Sequence, residues 1–403
     1  MCFHDNPQLQ LAYDFVQYTN KTIFLTGKAG TGKTTFLHNL KKVSPKRMVV
    51  VAPTGVAAIN AGGVTIHSFF QLHFGPHIPG RKSENAGDSL KENSFQRKFN
   101  KEKIHLIQSL DLLVIDEISM VRADMLDAID EVLRKYKNYS KPFGGVQLLM
   151  IGDLHQLSPV IKESEWSILK DYYDTVYFFS SKALQQTMSV SIELMHIYRQ
   201  SDTYFIGMLN QIRTNQITPQ TLTELNQRFI PDFKPKDEEG YIILTTHNAN
   251  ALEINHSKLK TIKHQSIIFD ADIFSEFPEY AYPTELNLEL KVDAQVMFVK
   301  NDSSREKLYY NGKIGKVTRI EDDIVYVKCP DEDFEIPVSK EEWENVKYSL
   351  DEQTKEIKET IVGRFTQYPL KLAWAITIHK SQGLTFDKAI IDANASFAHG
   401  QVY

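Results

Sequence analysis

Gly27-Lys28-Ala29-Gly30-Thr31-Gly32-Lys33-Thr34 decides the fold of this chain. The stretch is a complete Gly-x-x-x-x-Gly-Lys-Thr loop. Before it, Thr22-Ile23-Phe24-Leu25-Thr26 reads as a short buried strand, and after it Thr35-Phe36-Leu37-His38-Asn39-Leu40 reads as the first turns of a helix. Strand, glycine loop and helix form the context in which this pattern cradles phosphate. The glycines let backbone N–H groups close around phosphate oxygens, and the helix N-terminus adds a partial positive charge. Lys33 would reach the β- and γ-phosphates, and the Thr34 hydroxyl would bind Mg²⁺. A glycine-rich turn that merely caps a helix is the plainer alternative, and the flanking pattern weighs against it.

Working outward, 403 residues suit two to four domains with ample buried core. Hydrophobic content of 42% and charged content of 24% are ordinary for a globular chain. No apolar run approaches the ~18 residues of a spanning helix, so no membrane role is expected. Met1-Cys2-Phe3-His4-Asp5-Asn6-Pro7 has neither the basic nor the apolar part of a secretion signal. Cys2 and Cys329 are the only cysteines, which leaves no disulfide framework and no metal-ligand spacing. A reduced intracellular compartment is expected: cytoplasm in a bacterium, nucleus or mitochondrion in a eukaryote.

The net charge of −5 argues weakly against a nucleic-acid partner, but its distribution weakens that objection. Glu321 to Glu359 holds 14 acidic and 5 basic residues, so the remainder is net positive. Arg81 to Lys103 holds 7 basic and 4 acidic residues. Phosphate binding needs a local positive track rather than a basic whole. Both runs read equally well as solvated loops.

The first ~180 residues read as a parallel α/β domain. Ile23-Phe24-Leu25, Met48 to Val51, Leu112 to Ile115, Leu148 to Ile151 and Val176 to Phe179 are short, continuous apolar strand candidates, as strands buried on both faces should be. Met125, Leu126, Ile129, Val132, Leu133 and Tyr136 mark one helical face. Gly75 to Phe99 is polar and rich in Gly, Pro, Ser and Lys, and reads as an insertion. A second α/β pattern begins near Val190, with strand candidates at Ser191 to Leu194, Tyr241 to Leu244 and Ala389 to Asp392. Val296 to Val299, Gly315 to Ile320 and Ile324 to Val327 suggest a small β-barrel-like insert within it.

Further motifs add chemistry. Asp116-Glu117 ends the strand Leu112 to Ile115, where a phosphate-loop enzyme places its second metal-binding acid. Asp116 would hold Mg²⁺ through its water shell, and Glu117 would orient or deprotonate the attacking water. Gln156, in Gly152-Asp153-Leu154-His155-Gln156-Leu157-Ser158-Pro159, could bond the γ-phosphate and that water. Arg199, in Tyr198-Arg199-Gln200, could act as an arginine finger. The small hydroxyls after the second strand candidate, in Ala52-Pro53-Thr54-Gly55 and Thr65-Ile66-His67-Ser68, suit a sugar-phosphate backbone. Thr377-Ile378-His379-Lys380-Ser381-Gln382-Gly383 offers a similar cluster with a cation, and His67, His155 and His379 could stack on bases. Each piece alone has an ordinary reading: a helix cap, a polar turn, a surface arginine or a structural histidine.

Together, in this order, they resemble the superfamily-one 5′-to-3′ DNA helicases of the Pif (petite integration frequency) type, and more distantly the RecD-type helicases. The resemblance covers nearly the whole chain. It implies two RecA-like parallel-sheet motor domains. The first spans 1–183 with an insert at about 63–108, and the second spans 184–403 with an SH3-like β insert at about 291–366. It implies that Gln10, 17 residues before Gly27, reads adenine, and that the nucleotide also meets Gly27, Ala29, Gly30, Thr31, Gly32, Lys33, Thr34, Thr35, Gln156, Arg199 and Gly383. Arg199 matches the finger from the second motor domain. Pro53, Thr54, Thr65, His67, Ser68, His155, His379, Lys380 and Ser381 fall in stretches that contact single-stranded DNA.

The implied activity is Mg-ATP-driven 5′-to-3′ translocation, one nucleotide per ATP, that unwinds forked duplex and G-quadruplex DNA. Replication, repair, recombination and telomere maintenance are its family settings. A monomer is expected, with a dimer on DNA as the second reading. In the family Gly400-Gln401-Val402-Tyr403 continues into a Val-Ala-Leu-Ser-Arg-like stretch that supplies a second arginine, so a truncated C-terminus is expected. Two readings from other classes stay open. A phosphate-loop small-molecule kinase explains Lys33 and Asp116 but neither Arg199 nor the second half. A catalytically impaired single-stranded-DNA-binding ATPase explains the early end of the chain. A GTPase is disfavoured, because no Asn-Lys-x-Asp guanine signature occurs.

Overall fold

The computed structural model describes residues 6–72, 75–78, 99–198, 200, 202–236, 239–302, 304–330, 332–351, 353, 356–382, 384 and 386–392. Most of the expected Gly75–Phe99 insertion, Arg199, Gly383 and the C-terminal 393–403 lie outside the described residues. The chain divides into two compact units, Met1–Ile206 with Val346–Ile361, and Gly207–Asn345 with Val362–Tyr403.

Among the described residues, unit 1 is built on one sheet of six strands: β1 (Thr22–Gly27), β2 (Met48–Ala52), β3 (Val64–Thr65), β4 (Leu112–Ile115), β5 (Gln147–Gly152) and β6 (Ser189–Leu194). Their order is β3-β2-β4-β5-β1-β6, and every pairing is parallel. The helices bordering it include α1 (Pro7–Tyr18), α2 (Lys33–Val43), α3 (Gly55–Ala61), α4 (Ile66–Phe70), α5 (Lys101–Ser109), α6 (Ala123–Tyr136) and α7 (Glu163–Leu169).

The continuous apolar runs are explained by two cores, one on each face. Successive strand residues point to opposite sides. Val50, Leu112, Val114, Leu149 and Ile151 therefore join Leu9, Ala12 and Val16 of α1 and Phe36, Leu37 and Leu40 of α2. Their neighbours Val49, Val51, Leu113, Ile115, Leu148 and Met150 join Leu126, Ile129, Val132 and Leu133 of α6. The helical face expected around Leu126 and Ile129 is thus the face that is buried.

Three expectations shift. Val176 to Phe179 is not a strand. Tyr177 makes a single antiparallel bridge to Arg122, and Phe178–Ser180 closes into a 3₁₀ turn. Beside β1 lies Ser189–Leu194, which pairs along six residues. That strand was expected to begin the second domain; pairing with β1 carries unit 1 past the expected boundary at 183, to Ile206. Residues 346–361, expected inside the β insert, also group with unit 1. There Tyr348 is buried beside Phe69, and its hydroxyl accepts from Val50 N at 3.4 Å.

Unit 2 carries a parallel three-stranded sheet, Ala375–Thr377, Ile242–Thr245 and Ala389–Ile391. It also carries a five-stranded antiparallel sheet of Glu335–Val338, Ile324–Lys328, Ile314–Glu321, Gln295–Phe298 and Leu370–Leu372. The antiparallel sheet stands where the small β insert was expected, and Leu370–Leu372 lies beyond the expected end at 366. Its inward residues, Val296, Phe298, Val317, Val325, Val327, Ile336 and Val338, share one core with Tyr368 and Trp374.

Leu149 is fully buried in the middle of the unit 1 sheet. Leu149→Ala should destabilise unit 1 by about 2–5 kcal/mol. Urea denaturation followed by amide exchange in β1 and β4 measures this; exchange unaltered in those strands would contradict the two-core packing.

Candidate functional site

In a parallel sheet every strand ends on the same edge, and ligands bind in the crevice outside the carboxyl ends of the strands. Read along the strand order, that edge of unit 1 presents the expected residues in a line. After β1 comes the phosphate loop, after β5 the Asp153–Gln156 loop, and after β4 the Asp116-Glu117 pair. Pro53 and Thr54 follow β2, and Thr65 ends β3. From β1 to β3 is four strand spacings, roughly 19 Å. The two ends of the line therefore cannot meet one small ligand, and they suit two different ones.

The phosphate loop is shaped by its glycines. Gly30 (φ 76°) and Gly32 (φ 88°) hold left-handed backbone, and Gly32 is the N-cap of α2 with no side chain to cap it. The α2 N–H groups of the first turn thus face the loop, where an anion would satisfy them. At Gly27 a Cβ would stand 2.8 Å from Leu194 O of β6 and from Thr31 Oγ1, so only glycine fits. Thr31 is buried and donates its hydroxyl to Lys28 O at 2.9 Å. Lys33 folds over the loop, and its ammonium donates to Gly27 O (2.7 Å) and Lys28 O (3.0 Å). Ala29, Thr34 and Thr35 are exposed at the loop and at the first turn of α2.

Asp116 is buried, and its N–H donates to Val51 O at 2.9 Å, which ties the exit of β4 to β2. Glu117 has left-handed backbone (φ 52°, ψ 44°), a conformation costing a non-glycine residue on the order of 1–3 kcal/mol. Such strain concentrates at functional sites. Burial raises the pKa of both carboxyls, and the Lys33 ammonium partly opposes it. For Glu117 the charges of Asp116 and Asp153 push in the same direction as burial. Glu117 thereby gains basicity, which suits a group that accepts a proton from water.

Gln156 is held rather than free. Its Nε2 donates to Asp153 Oδ2 (3.2 Å) and its N–H to Asp153 O (3.0 Å), while His155 N donates to Asp153 Oδ1 (3.1 Å). Asp153 is 1% exposed and anchors the loop, a role sequence reading missed. The available signal was an Asp directly after a strand and two residues before a polar pair, which is turn chemistry. Gly152 lets this loop approach the acid pair, since a Cβ there would lie 2.9 Å from Ile118 Cγ2.

Gln10, on α1, donates from Nε2 to Asp14 Oδ1 at 2.8 Å. Its Oε1 is enclosed and has no hydrogen-bond partner among the described residues. An enclosed acceptor fits the exocyclic amine of adenine, so the site suits an adenine nucleotide. Arg199 itself lies outside the described residues. Its neighbour Tyr198 donates its N–H to Gly30 O of the phosphate loop at 2.8 Å, and its hydroxyl accepts from Asn6 Nδ2 at 3.1 Å. That places Tyr198 in unit 1, whereas the finger was expected from the second domain.

Thr54 and Thr65 are helix N-caps: their Oγ1 atoms accept from Ala57 N and Ser68 N, each at 3.2 Å. The hydroxyl hydrogens remain available as donors. Thr65 is buried, Thr54, Ser68 and His155 are exposed, and Pro53 and His67 are half-buried. Burial holds His67 below the ordinary histidine value. In unit 2, His379, Lys380 and Ser381 form a short helix directly after the strand Ala375–Thr377. Ser381 donates its hydroxyl to Ile378 O at 2.8 Å, and burial lowers the pKa of His379. Gly383 lies outside the described residues. No group of three or more potential metal ligands occurs among the described residues. None of their helices is long and apolar enough to cross a membrane.

A family model described as PIF1-like helicase matches residues 9–221, from α1 through the phosphate loop and acid pair into unit 2. The chain belongs to the PIF1-like helicase family. Human ATP-dependent DNA helicase PIF1 is 33% identical over 95% of this chain and 56% of its own length. ATP-dependent DNA helicase Pif1 of Bdellovibrio bacteriovorus is 30% identical over 99% of this chain and 84% of its own. The chain thus spans a little over half of the human relative and most of the bacterial one. Bacteroides Pif1 in complex with ADP-AlF4 is 43% identical with a TM-score of 0.90, covering 100% of this chain and 89% of that one. The same Bacteroides protein bound to ssDNA matches with a TM-score of 0.65 over 98% and 88% of the two chains. The α/β fold with a RecA-like parallel-sheet core is therefore the family's own.

The acid pair gives a testable sign. A carboxyl whose native pKa is raised contributes most to stability while protonated. That contribution is lost as pH rises from the ordinary glutamate value of 4.5 through the raised native one. Glu117→Gln should therefore raise the melting temperature of the ligand-free protein at pH 8 and change it little at pH 4. Thermal melts at the two pH values measure this, and equal shifts at both would contradict it.

Proposed function

We propose that this chain is an ATP-driven DNA helicase that moves 5′-to-3′ along single-stranded DNA and unwinds duplex and G-quadruplex DNA ahead of it. The observation that carries the reading is the line of strand ends in unit 1. A phosphate loop, a sensor loop, an acid pair and a row of small hydroxyls follow one another along one sheet edge. Membership in a family whose curated members are named ATP-dependent DNA helicases supports the same conclusion.

In this reading the backbone N–H groups of Gly27, Ala29, Gly30, Thr31, Gly32, Lys33 and Thr34, with Thr35 beside them, hold the ATP phosphates. Gln10 accepts from the adenine amine. Lys33 leaves the carbonyls of Gly27 and Lys28 for the β- and γ-phosphates, exchanging two neutral acceptors for anionic ones. Thr34 and Asp116 would hold Mg²⁺, which supplies charge neutralisation on the phosphate oxygens. Glu117 accepts a proton from the attacking water, and Gln156 orients that water. Arg199 stabilises charge on the γ-phosphate, with Gly383 completing the nucleotide contacts. Pro53, Thr54, Thr65, His67, Ser68 and His155 of unit 1, and His379, Lys380 and Ser381 of unit 2, contact single-stranded DNA. The partner is single-stranded and forked DNA, bound by a monomer or, at a fork, by two copies. The setting is intracellular: DNA replication, recombination, repair or telomere maintenance.

The ATPase rate with and without single-stranded DNA is the deciding measurement. Strong stimulation is expected, and Lys33→Ala and Glu117→Gln should each lower the stimulated rate by roughly a hundredfold or more. A rate indifferent to DNA, with a small metabolite phosphorylated instead, would overturn the reading. Tailed duplexes test polarity: unwinding should need a 5′ tail, and preference for a 3′ tail would sink the direction.

A further inference from the structure

Three strand-end segments of unit 1 converge on one guanidinium. Arg122 lies five residues after Glu117, joined to it by the short 3₁₀ turn Ile118–Met120, and immediately precedes α6. Its Nε and Nη2 donate to Asp124 Oδ1 (2.9 Å) and Oδ2 (2.7 Å) as a fork. The same Nη2 donates to Gly75 O at 2.7 Å. Nη1 reaches Glu165 Oε2 of α7 at 3.4 Å. Asp124 in turn accepts from His77 N at 2.8 Å. Arg122 is 9% exposed and Asp124 1%, so both are enclosed in unit 1.

The connected segments are functionally distinct. Gly75 and His77 lie eight and ten residues beyond His67, on the chain leaving α4. The charges of Arg122 and Asp124 are also felt at the His67 ring. Glu165 lies nine residues beyond Gln156. One planar, permanently charged group thus joins the exit of the acid pair, the exit of the Gln156 loop and the exit of the His67 helix. A guanidinium has five donors in a fixed fork, so displacing one of these segments must disturb its contacts to the others. Such a joint is what the roughly 19 Å between the ends of the edge demands if hydrolysis is to respond to DNA.

We propose that Arg122 and Asp124 are positioning residues that couple the γ-phosphate loops of unit 1 to the DNA-contacting His67 segment, so that ATP turnover accelerates when single-stranded DNA is bound. The inference rests on the helicase reading above and adds the residues that transmit the response. Neither residue touches the nucleotide or the DNA in it. The pair holds backbones, and its loss should separate the two activities rather than abolish hydrolysis.

Arg122→Gln, Asp124→Asn and the double variant Arg122→Ala/Asp124→Ala test this, the last removing the pair without stranding a buried charge. ATP hydrolysis is measured with and without an oligo-dT strand, alongside thermal melting. The DNA-free rate should be retained, while the ratio of stimulated to DNA-free rate falls by about tenfold. The double variant should be no worse than either single, because the two residues act as one unit. Arg122→Lys, which keeps the charge but not the fork, should lose the ratio too. Glu165→Gln, at the outer contact, should lower it partly without touching the buried pair, and remains informative if the other variants melt early. An unchanged ratio, or DNA-free and stimulated rates falling in equal proportion, overturns the coupling role. Absence of stimulation in the unmodified protein overturns the helicase reading and this inference with it; stimulation there with ratios intact in every variant overturns this inference alone.

Discussion

A sheet buried on both faces has nowhere to place its backbone polar groups except on neighbouring strands. That constraint shapes unit 1. Its strands pair in parallel, helices cover both faces, and every strand ends on the same edge. The chemistry then has one place to gather. Asp116, Gln156, Gly27, Thr54 and Thr65 are far apart in sequence, yet each sits at or shortly after a strand end of a single sheet. Their order along the edge follows from strand order alone, with the acid pair lying between the phosphate loop and the hydroxyl row.

The edge is also where local structural rules are broken. Glu117 holds left-handed backbone with a bulky side chain, and two carboxyls share a crevice that raises the pKa of both. Gly27 and Gly152 sit where a single added carbon would collide with neighbouring strands or turns. A chain selected for stability alone would relax these positions. Such positions within otherwise well-packed surroundings are what a site under functional constraint looks like. The two apolar cores hold this strained edge in place.

Unit 2 obeys a different rule. Its outer antiparallel strands alternate inward apolar and outward polar residues over one core, as in Ile324–Lys328 and Glu335–Val338, while Met297 and Ile314 join a second core with Ile242 and Ala373. Its parallel sheet repeats on a smaller scale the pattern of a strand ending in a polar cluster, with His379, Lys380 and Ser381 following Ala375–Thr377. Residues 346–361 interrupt this tidy division. Tyr348 belongs to the core of unit 1 although the sequence around it reads as part of the β insert.

Much was legible from residues alone, because the physics involved is local. A glycine loop between an apolar strand and a helix specifies a phosphate cradle by backbone geometry. Asp116-Glu117 after an apolar run marks a strand-end acid pair, to which the proposed metal and water roles attach, and three- and four-residue spacing specifies the buried face of α6. Tertiary structure decided what depends on distant partners. That Val176 to Phe179 makes only a single bridge, to Arg122, while Ser189–Leu194 pairs along the whole of β1, depends on partners distant in sequence, which no local pattern records. The anchoring of Gln156 by Asp153, the enclosed acceptor of Gln10 and the convergence of Gly75, Asp124 and Glu165 on Arg122 likewise exist only once the chain has folded. The sequence by itself determined which chemistry this protein carries. Only the fold decided how those groups are spaced and joined, because spacing along a sheet edge is set by strand order, and strand order is a property of the whole core.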